Sequence, residues 1–446
     1  MAIRRRTIVW VVLSAFVLAV GGTLLSIYVD PDRYRSEVIA YLEAKTGKQI
    51  AVGHLAIIWF PLTIRLDDFS SRNPKPFPSG YFLQAKRIDA AMDTTALLQR
   101  RLQIKSLTLY EPTINVVSDP DGLWNFENPP TGDSRRPIPI FALGIIPEVR
   151  IIGGQVFGSS LIDPADVQGP IVFEARKVSA ILRQVNFNAF TDLPNKTPTP
   201  SLVAEGEVGA ASLRFGSIEV MNLKSKLRLL TKQISFSDVE VEADRGRATG
   251  ELSLDLSGAK PHFSTTANLK GLDVARLLTA FPQGRGKMTG TLAGQLRLSG
   301  AIEHTFTPLE GIRATGTLTV SNGELPTLSS DSNLNKMTRF RDAADAKRPP
   351  SAFSSFSSDI NLANQRISSK RVDIGFYGVD VQCAGSLGLT RGSLDYKGIA
   401  KALKTQGFFT NVFARVLHEA KEENGKLSFP VQVSGTMVSP KFSVTD

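Results

Sequence analysis

In Thr249-Gly250-Glu251-Leu252-Ser253-Leu254-Asp255-Leu256 every second residue after the glycine is a leucine. A helix would scatter these leucines around its circumference. A strand, with its period of two, sets them on one side and the Glu, Ser and Asp on the other. Gly316-Thr317-Leu318-Thr319-Val320 and Gly385-Ser386-Leu387-Gly388-Leu389 repeat the arrangement, and Gly290 to Leu298 keeps the phase with Leu292, Leu296 and Leu298. Intervals between the leading glycines are unequal, which excludes a solenoid of equal turns. The polar partners are Thr, Ser, Glu, Asp, Gln and Arg, as suits an antiparallel sheet with one solvated face. The turns Ser321-Asn322-Gly323-Glu324 and Thr390-Arg391-Gly392-Ser393 fit hairpins between such strands.

Nearer the N-terminus, Gln49–Val52, Leu55–Trp59, Leu62–Phe69, Phe82–Met92, Leu102–Leu109 and Thr113–Val117 read as strands. Helices are few and short. Tyr34, Val38, Tyr41 and Leu42 recur at helical spacing and stop at Gly47. Thr94–Gln99 forms another. Asp273 is an N-cap for a helix near 273–281 with Val274, Leu277, Leu278 and Phe281 inward. A further amphipathic helix near 408–424 carries Phe408, Phe409 and Phe413 on its apolar face.

Thr7 to Val29 runs for 23 residues without a charge, directly after Arg4, Arg5 and Arg6. As a helix it spans roughly 35 Å, enough for a hydrocarbon core of about 30 Å. Trp10 and Tyr28 lie near its ends, where aromatic rings suit the headgroup zone, and the arginines keep the N-terminus cytoplasmic. A cleaved signal peptide is the other reading. The length of the apolar run and the lack of a clear small-x-small site favour an uncleaved anchor, with the body exported.

Composition narrows the chemistry. Cys383 is the single cysteine among 446 residues, so a disulfide within the chain is excluded. The net charge of +10 is dispersed, without a basic stripe interleaved with aromatics. That argues against nucleic acid and is compatible with anionic lipid headgroups. His54, His262, His304 and His418 lack ligand spacing. Gly284–Gly290 has the wrong spacing for a phosphate loop and follows a helix instead of a strand. No catalytic, cofactor-binding or metal-binding residue stands out, and the reading is that the chain is not an enzyme.

Several segments, in order, carry a resemblance. They are the N-terminal apolar segment with Thr46-Gly47-Lys48-Gln49-Ile50-Ala51-Val52, Phe60-Pro61-Leu62-Thr63-Ile64-Arg65-Leu66-Asp67-Asp68-Phe69, Arg101 to Leu109 with Glu111-Pro112-Thr113-Ile114-Asn115-Val116, and Asp121-Gly122-Leu123-Trp124-Asn125-Phe126. The ending Phe429 to Thr436 with Ser439-Pro440-Lys441 completes them. Together they resemble the AsmA family of bacterial envelope proteins. The resemblance implies an inner-membrane anchor and a periplasmic β-groove, similar to chorein-like bridge lipid-transfer proteins, and no catalytic residues.

The fold expected is mainly β: an N-terminal transmembrane helix, then an elongated, curved, mostly antiparallel sheet forming a groove, with a few short amphipathic helices. The organisation expected is a cytoplasmic tail at 1–6, the anchor at 7–29, an N-terminal AsmA-like β region at 30–127, a loop-rich β connector at 128–200, and a C-terminal AsmA-like β-groove region at 201–446. Candidate groove-lining residues are Leu252, Leu254, Leu256, Leu292, Leu296, Leu298, Leu318, Val320, Leu387 and Leu389. On the residues alone they line an open trough or fill a closed sandwich; the resemblance favours the trough. Expected partners are phospholipids, the inner membrane, and outer-membrane or periplasmic proteins. Phospholipid transfer or outer-membrane lipid homeostasis is the leading function. The alternative is an assembly scaffold for outer-membrane proteins without lipid conduction.

Overall fold

The computed structural model describes residues 30–75, 77–99, 101, 103–118, 125, 145–160, 171–186, 201–215, 218–243, 245–258, 262–279, 284–301, 311–329, 331, 334–335, 341, 343–403, 421–423 and 426–444. Arg4, Arg5, Arg6, Trp10, Tyr28 and the expected anchor at 7–29 lie outside them. Among the described residues no helix is long and apolar enough to cross a membrane. The described chain is mainly β, and its strands belong to one large, mostly antiparallel sheet. Contacts divide it into two compact units, Met1–Leu213 with Lys224–Lys232, and Arg214–Leu223 with Gln233–Asp446.

In the first unit a 3-10 turn, Pro31–Tyr34, leads into helix α1, Arg35–Thr46. Gly47 closes α1 at φ +66°, a left-handed conformation that glycine adopts without a Cβ penalty. Strands β1 (Ile50–Ala51), β2 (His54–Trp59), β3 (Leu62–Arg72) and β4 (Tyr81–Met92) follow, all paired antiparallel on β3. Asp93 then caps the short α2, Thr94–Leu98, by accepting from the Thr95 and Ala96 N–H groups. β5 (Ile104–Tyr110) and β6 (Thr113–Ser118) both pair antiparallel with β4 on one side. On the other side both run parallel to β7, Ile145–Ser160. Glu111 and Pro112 interrupt that edge, and Gly153 with Gly154 interrupts β7 opposite them. The Glu111 N–H bonds to the Ile152 carbonyl at 2.8 Å and the Gln155 N–H to the Pro112 carbonyl at 2.7 Å, so the two interruptions match. β8 (Ile171–Asn186) pairs antiparallel with β7. The stretch 128–200, expected as a loop-rich β connector, carries two 16-residue strands. β9 spans Leu202–Phe215 and β10 Ile218–Leu230.

The second unit is an antiparallel meander. β11 (Gln233–Ala243), β12 (Gly246–Asp255), β13 (His262–Asp273), β14 (Thr289–Ala301), β15 (Arg313–Glu324), β16 (Ala352–Ala363), β17 (Arg366–Phe376), β18 (Val379–Gly388) and β19 (Ser393–Leu403) pair in chain order. β21 (Lys426–Thr436) joins β19, with β20 (Lys421–Glu423) and β22 (Pro440–Val444) on its far side. Helix α3, Val274–Leu278, has Asp273 as N-cap, as expected. The helix expected at 408–424 falls mostly outside the described residues, and its end, Lys421–Glu423, is β20 instead.

Bulges interrupt several ladders. Asp238 in β11 and Asn322 in β15 both sit at φ 51°, each beside a break in register or pairing. Each inserts a residue and tightens the local twist. The Ser321–Glu324 turn expected from sequence is thus a bulge inside β15. The Thr390–Ser393 turn does connect β18 to β19.

Candidate functional site

Register follows the alternation across the second unit. One row reads Phe236, Leu252, Thr265, Leu298, Ala314, Leu362, Ile367, Leu387, Leu394, each paired to the next on the adjacent strand. A second, four residues along each strand, includes Ala248, Leu269, Gly294 and Leu318. A third runs Leu272, Leu292, Val320, Phe356, Ile374, Val381, Ala400, Phe429. Because pairing preserves the pleat, these rows share one face. The intervening rows are polar, for example Glu251, Thr266, Arg297, Thr315, Asn361, Ser368, Ser386 and Asp395.

The two ends of the apolar face differ. At one end, Val274, Leu277 and Leu278 of α3, with Leu325, Leu328 and Leu334 from the connection after β15, pack onto the sheet. Leu292, Val320 and Phe353 are buried there, Phe353 completely. At the other end Leu252, Leu254, Leu296, Leu298 and Leu387 remain half-buried. Leu318, also half-buried, packs against the closed core. Leu256 is exposed just past the end of β12. Leu389 follows β18, its N–H donating to the Gln365 carbonyl. Eight of the ten candidate residues thus share one face; Leu292 and Val320 belong to its sealed end. A cavity of about 500 Å³ lies against β11–β15. Its lining is mostly polar, with Ser235, Glu251, Ser253, Thr266, Arg297 and Thr315 flanking Phe236, Leu252 and Leu298, and it includes neither Leu254 nor Leu296.

Glycines on this face had no obvious role in the sequence. A Cβ on Gly316 would lie 2.0 Å from the Gln295 carbonyl oxygen of the neighbouring strand, and one on Gly250 would lie 1.9 Å from that of Thr266. The strands approach too closely there for any side chain.

The first unit has an apolar face too. Its rows are Leu55, Leu66, Ile88, Leu109, Ile151, Ala180 and Ile57, Ile64, Ala90, Leu107, Val149, Leu182. Ile39 and Leu42 of α1 pack against it beside Ile50, Val52, Phe69, Ala85 and Ile88. Tyr41 is buried and Tyr34 is 58% exposed before the helix. The face of α1 that packs is therefore centred on Ile39 and Leu42, not on Tyr34. Towards the β2–β3 hairpin, Ile57, Trp59, Leu62 and Ile64 are half-buried.

Asn125 is the described residue of the Asp121–Phe126 motif, and it is fully buried. Its Oδ1 accepts from the Val117 N–H at 3.0 Å, and its Nδ2 donates to the Asn115 carbonyl at 2.7 Å and to Asn73 Oδ1 at 3.0 Å. Its carbonyl accepts from Lys48 Nζ at 2.9 Å. The Lys48 ammonium lies 3.9 Å from the Phe82 ring centroid, and burial lowers its pKa to about 8. Asn125 is therefore tied to β6, to Asn73 and to Lys48, two residues past α1.

Cys383 is buried, and burial pushes its thiol up to about 11. It sits between Val372 and Gly398 and packs as a small hydrophobe. Among the described residues no group of three or more His, Cys, Asp or Glu is placed to hold a metal ion.

A mostly antiparallel sheet with one apolar face, sealed at one end of its strands and half-open at the other, defines a class that offers continuous greasy surface. The AsmA family model matches residues 1–135 of the chain. None of the curated proteins compared with the chain matches it.

Proposed function

We propose that the chain is an inner-membrane-anchored envelope protein, its N-terminus cytoplasmic and its body in the periplasm, that carries phospholipid acyl chains in a groove along the apolar face. The carrying observation is a row in which Phe236, Leu252, Leu298, Ile367 and Leu387 are half-buried beside buried Ala314 and Leu362, backed by polar rows one residue away. Each methylene withdrawn from water on such a surface gains roughly 0.8 kcal/mol. The contacts are non-directional, so a chain can slide while its headgroup stays wet. The AsmA family match over residues 1–135 and the charge-free stretch at 7–29 support the envelope setting.

A photo-crosslinker at Leu254 or Leu296 in living cells tests this. Phospholipid adducts at those sites and none at Ser253 or Arg297, on the opposite face, are expected. Equal labelling of both faces, or protein adducts alone, would end the proposal in favour of an assembly scaffold. Strand-edge capture by such a scaffold is disfavoured at β22. The Phe442 N–H there already donates to Asp331 Oδ2 at 3.1 Å, leaving one fewer free edge donor for a docking strand.

A further inference from the structure

We propose that the β2–β3 hairpin tip, Trp59-Phe60-Pro61-Leu62, is a membrane contact that seats one end of the first unit on an anionic bilayer surface. Phe60 is 95% exposed, the most exposed large hydrophobic residue described. A single exposed apolar residue would mean little. This one has company. Thr63 pairs with Ala91, and Ala91 with Ser106, so β4 ends and β5 begins beside the tip. Ser106 pairs with Glu148, so β7 begins at the same end. α2 follows β4 there with Leu97 exposed, and β7 starts on Ile145, which is 52% exposed. Phe60, Leu97 and Ile145 therefore gather at one end of the sheet.

The charges at that end complement anionic lipid. Arg101, Lys105 and Arg183 are exposed. The acids described nearby are engaged: the Asp93 carboxylate caps α2, and Glu148 pairs with Arg150 at 2.7 Å. An apolar tip rimmed by basic side chains suits the boundary between acyl chains and headgroups.

Chain connectivity agrees. The Leu55 N–H donates to Asp32 Oδ1 at 2.9 Å, so the polypeptide arriving from residue 30 meets the sheet at the start of β2. The tip stands one short strand away, roughly 15–20 Å. A bilayer holding the uncharged residues 7–29 would lie within that reach. The apolar rows of this unit also run to the tip: Trp59 pairs with Leu62, in phase with Ile57 and Ile64. Docking there would set the half-open end of the face against the lipid.

This inference rests on the anchored reading above for its geometry, and the test separates the two. The full chain carrying Phe60→Cys is labelled with an environment-sensitive fluorophore and reconstituted in nanodiscs containing phosphatidylglycerol. Cys383 is buried and stays unlabelled. Val438→Cys, at a site 70% exposed in the second unit, is the control. The label at 60 is expected to shift to the blue and to be quenched by lipids bearing a nitroxide, and the label at 438 to do neither. Replacing phosphatidylglycerol by phosphatidylcholine, or introducing Arg101→Gln with Lys105→Gln, should weaken docking. Each basic side chain near an anionic surface is worth roughly fivefold, so the double variant should lower the docked ratio by about 25-fold. A label at 60 as wet as that at 438 overturns the proposal. If crosslinks still form at Leu254 while 60 stays wet, the tip proposal alone fails. If 60 is quenched without crosslinks, the conduit alone fails. Failure of the chain to remain with the discs removes both.

Discussion

The sealed and half-open ends of the second unit are made of the same strands yet do different things with their leucines. Leu292 and Leu298 lie six residues apart on β14, on the same face. Leu292 is buried in the cluster that α3 and the connection after β15 complete; Leu298 lies outside that cluster and stays half-buried. The first unit repeats the contrast by other means, with α1 packed against the cluster of Phe69 and Ile88 while Ile57 and Trp59 stay half-buried. A strand's alternation creates an apolar face. Whether that face becomes core or binding surface is decided by a few residues from elsewhere in the chain.

Removing packing at the sealed end should therefore hurt most. Phe353→Ala, at a fully buried position against Phe356 and Phe376, is expected to cost about 3–5 kcal/mol. The denaturation midpoint reads this directly. A loss below about 1 kcal/mol would mean that the sealed end is no tighter than the open one.

The sealed end of the first unit has a pH handle of its own. Lys48 is held at a pKa of about 8 by burial, against 10.5 when solvated. Between those values the unfolded chain binds more protons, so stability should rise with pH, by up to roughly 3 kcal/mol in full. Burial raises the pKa of Cys383 to about 11 and also raises those of Tyr41 and Tyr396, which act in the opposite sense at higher pH, leaving roughly pH 8–9 as the window to read. Lys48→Met should flatten the rise of the urea midpoint across that window. A rise that persists in the variant would assign it to another group.

How far the sequence foretold this arrangement follows from the range of the forces involved. Alternation is local, so the strands, the face shared by Leu252, Leu298, Leu318 and Leu387, and the Asp273 cap were all readable. Strand direction was not: nothing in Ile104–Ser118 says that it runs parallel to β7, because side-chain period is the same either way. Ser-Asn-Gly-Glu at 321–324 has turn chemistry, but Asn322 uses its left-handed tolerance for a bulge inside a continuing strand. The clustering of Leu292 with Leu328 and Leu334 joins segments that carry no periodic pattern. Asn125 was visible as part of a family motif, and its role emerged only from burial and from Lys48, 77 residues away in the chain.

Backbone proximity gives the next, smaller test. Gly316→Val would force a side chain against the Gln295 carbonyl on the open half of the face. Overpacking of this kind typically costs 1–3 kcal/mol. The same substitution at Gly311, where nothing lies within 4 Å but φ is +73°, should act through the backbone strain of its left-handed conformation alone. If the two variants lose equal stability, close strand approach is not what excludes a side chain at Gly316.

The smallest expected effect on stability bears most on function. Leu254 is half-buried and touches no covering element in the sealed core, so Leu254→Ala should cost about 1 kcal/mol, well under the change at Phe353. Leu254→Ser removes apolar surface and adds a hydroxyl that can stay hydrated, so its cost in folding should be similar. For an acyl chain lying along the row, however, the serine interrupts the lining with a group that must be desolvated as the chain passes. The two variants should then match in denaturation midpoint and differ in crosslinked lipid at Leu296, with the serine lower. A closed core would reverse this order: the serine would fold distinctly less well than the alanine, because a buried hydroxyl without a partner costs about 1–3 kcal/mol, and lipid adducts would be absent from both.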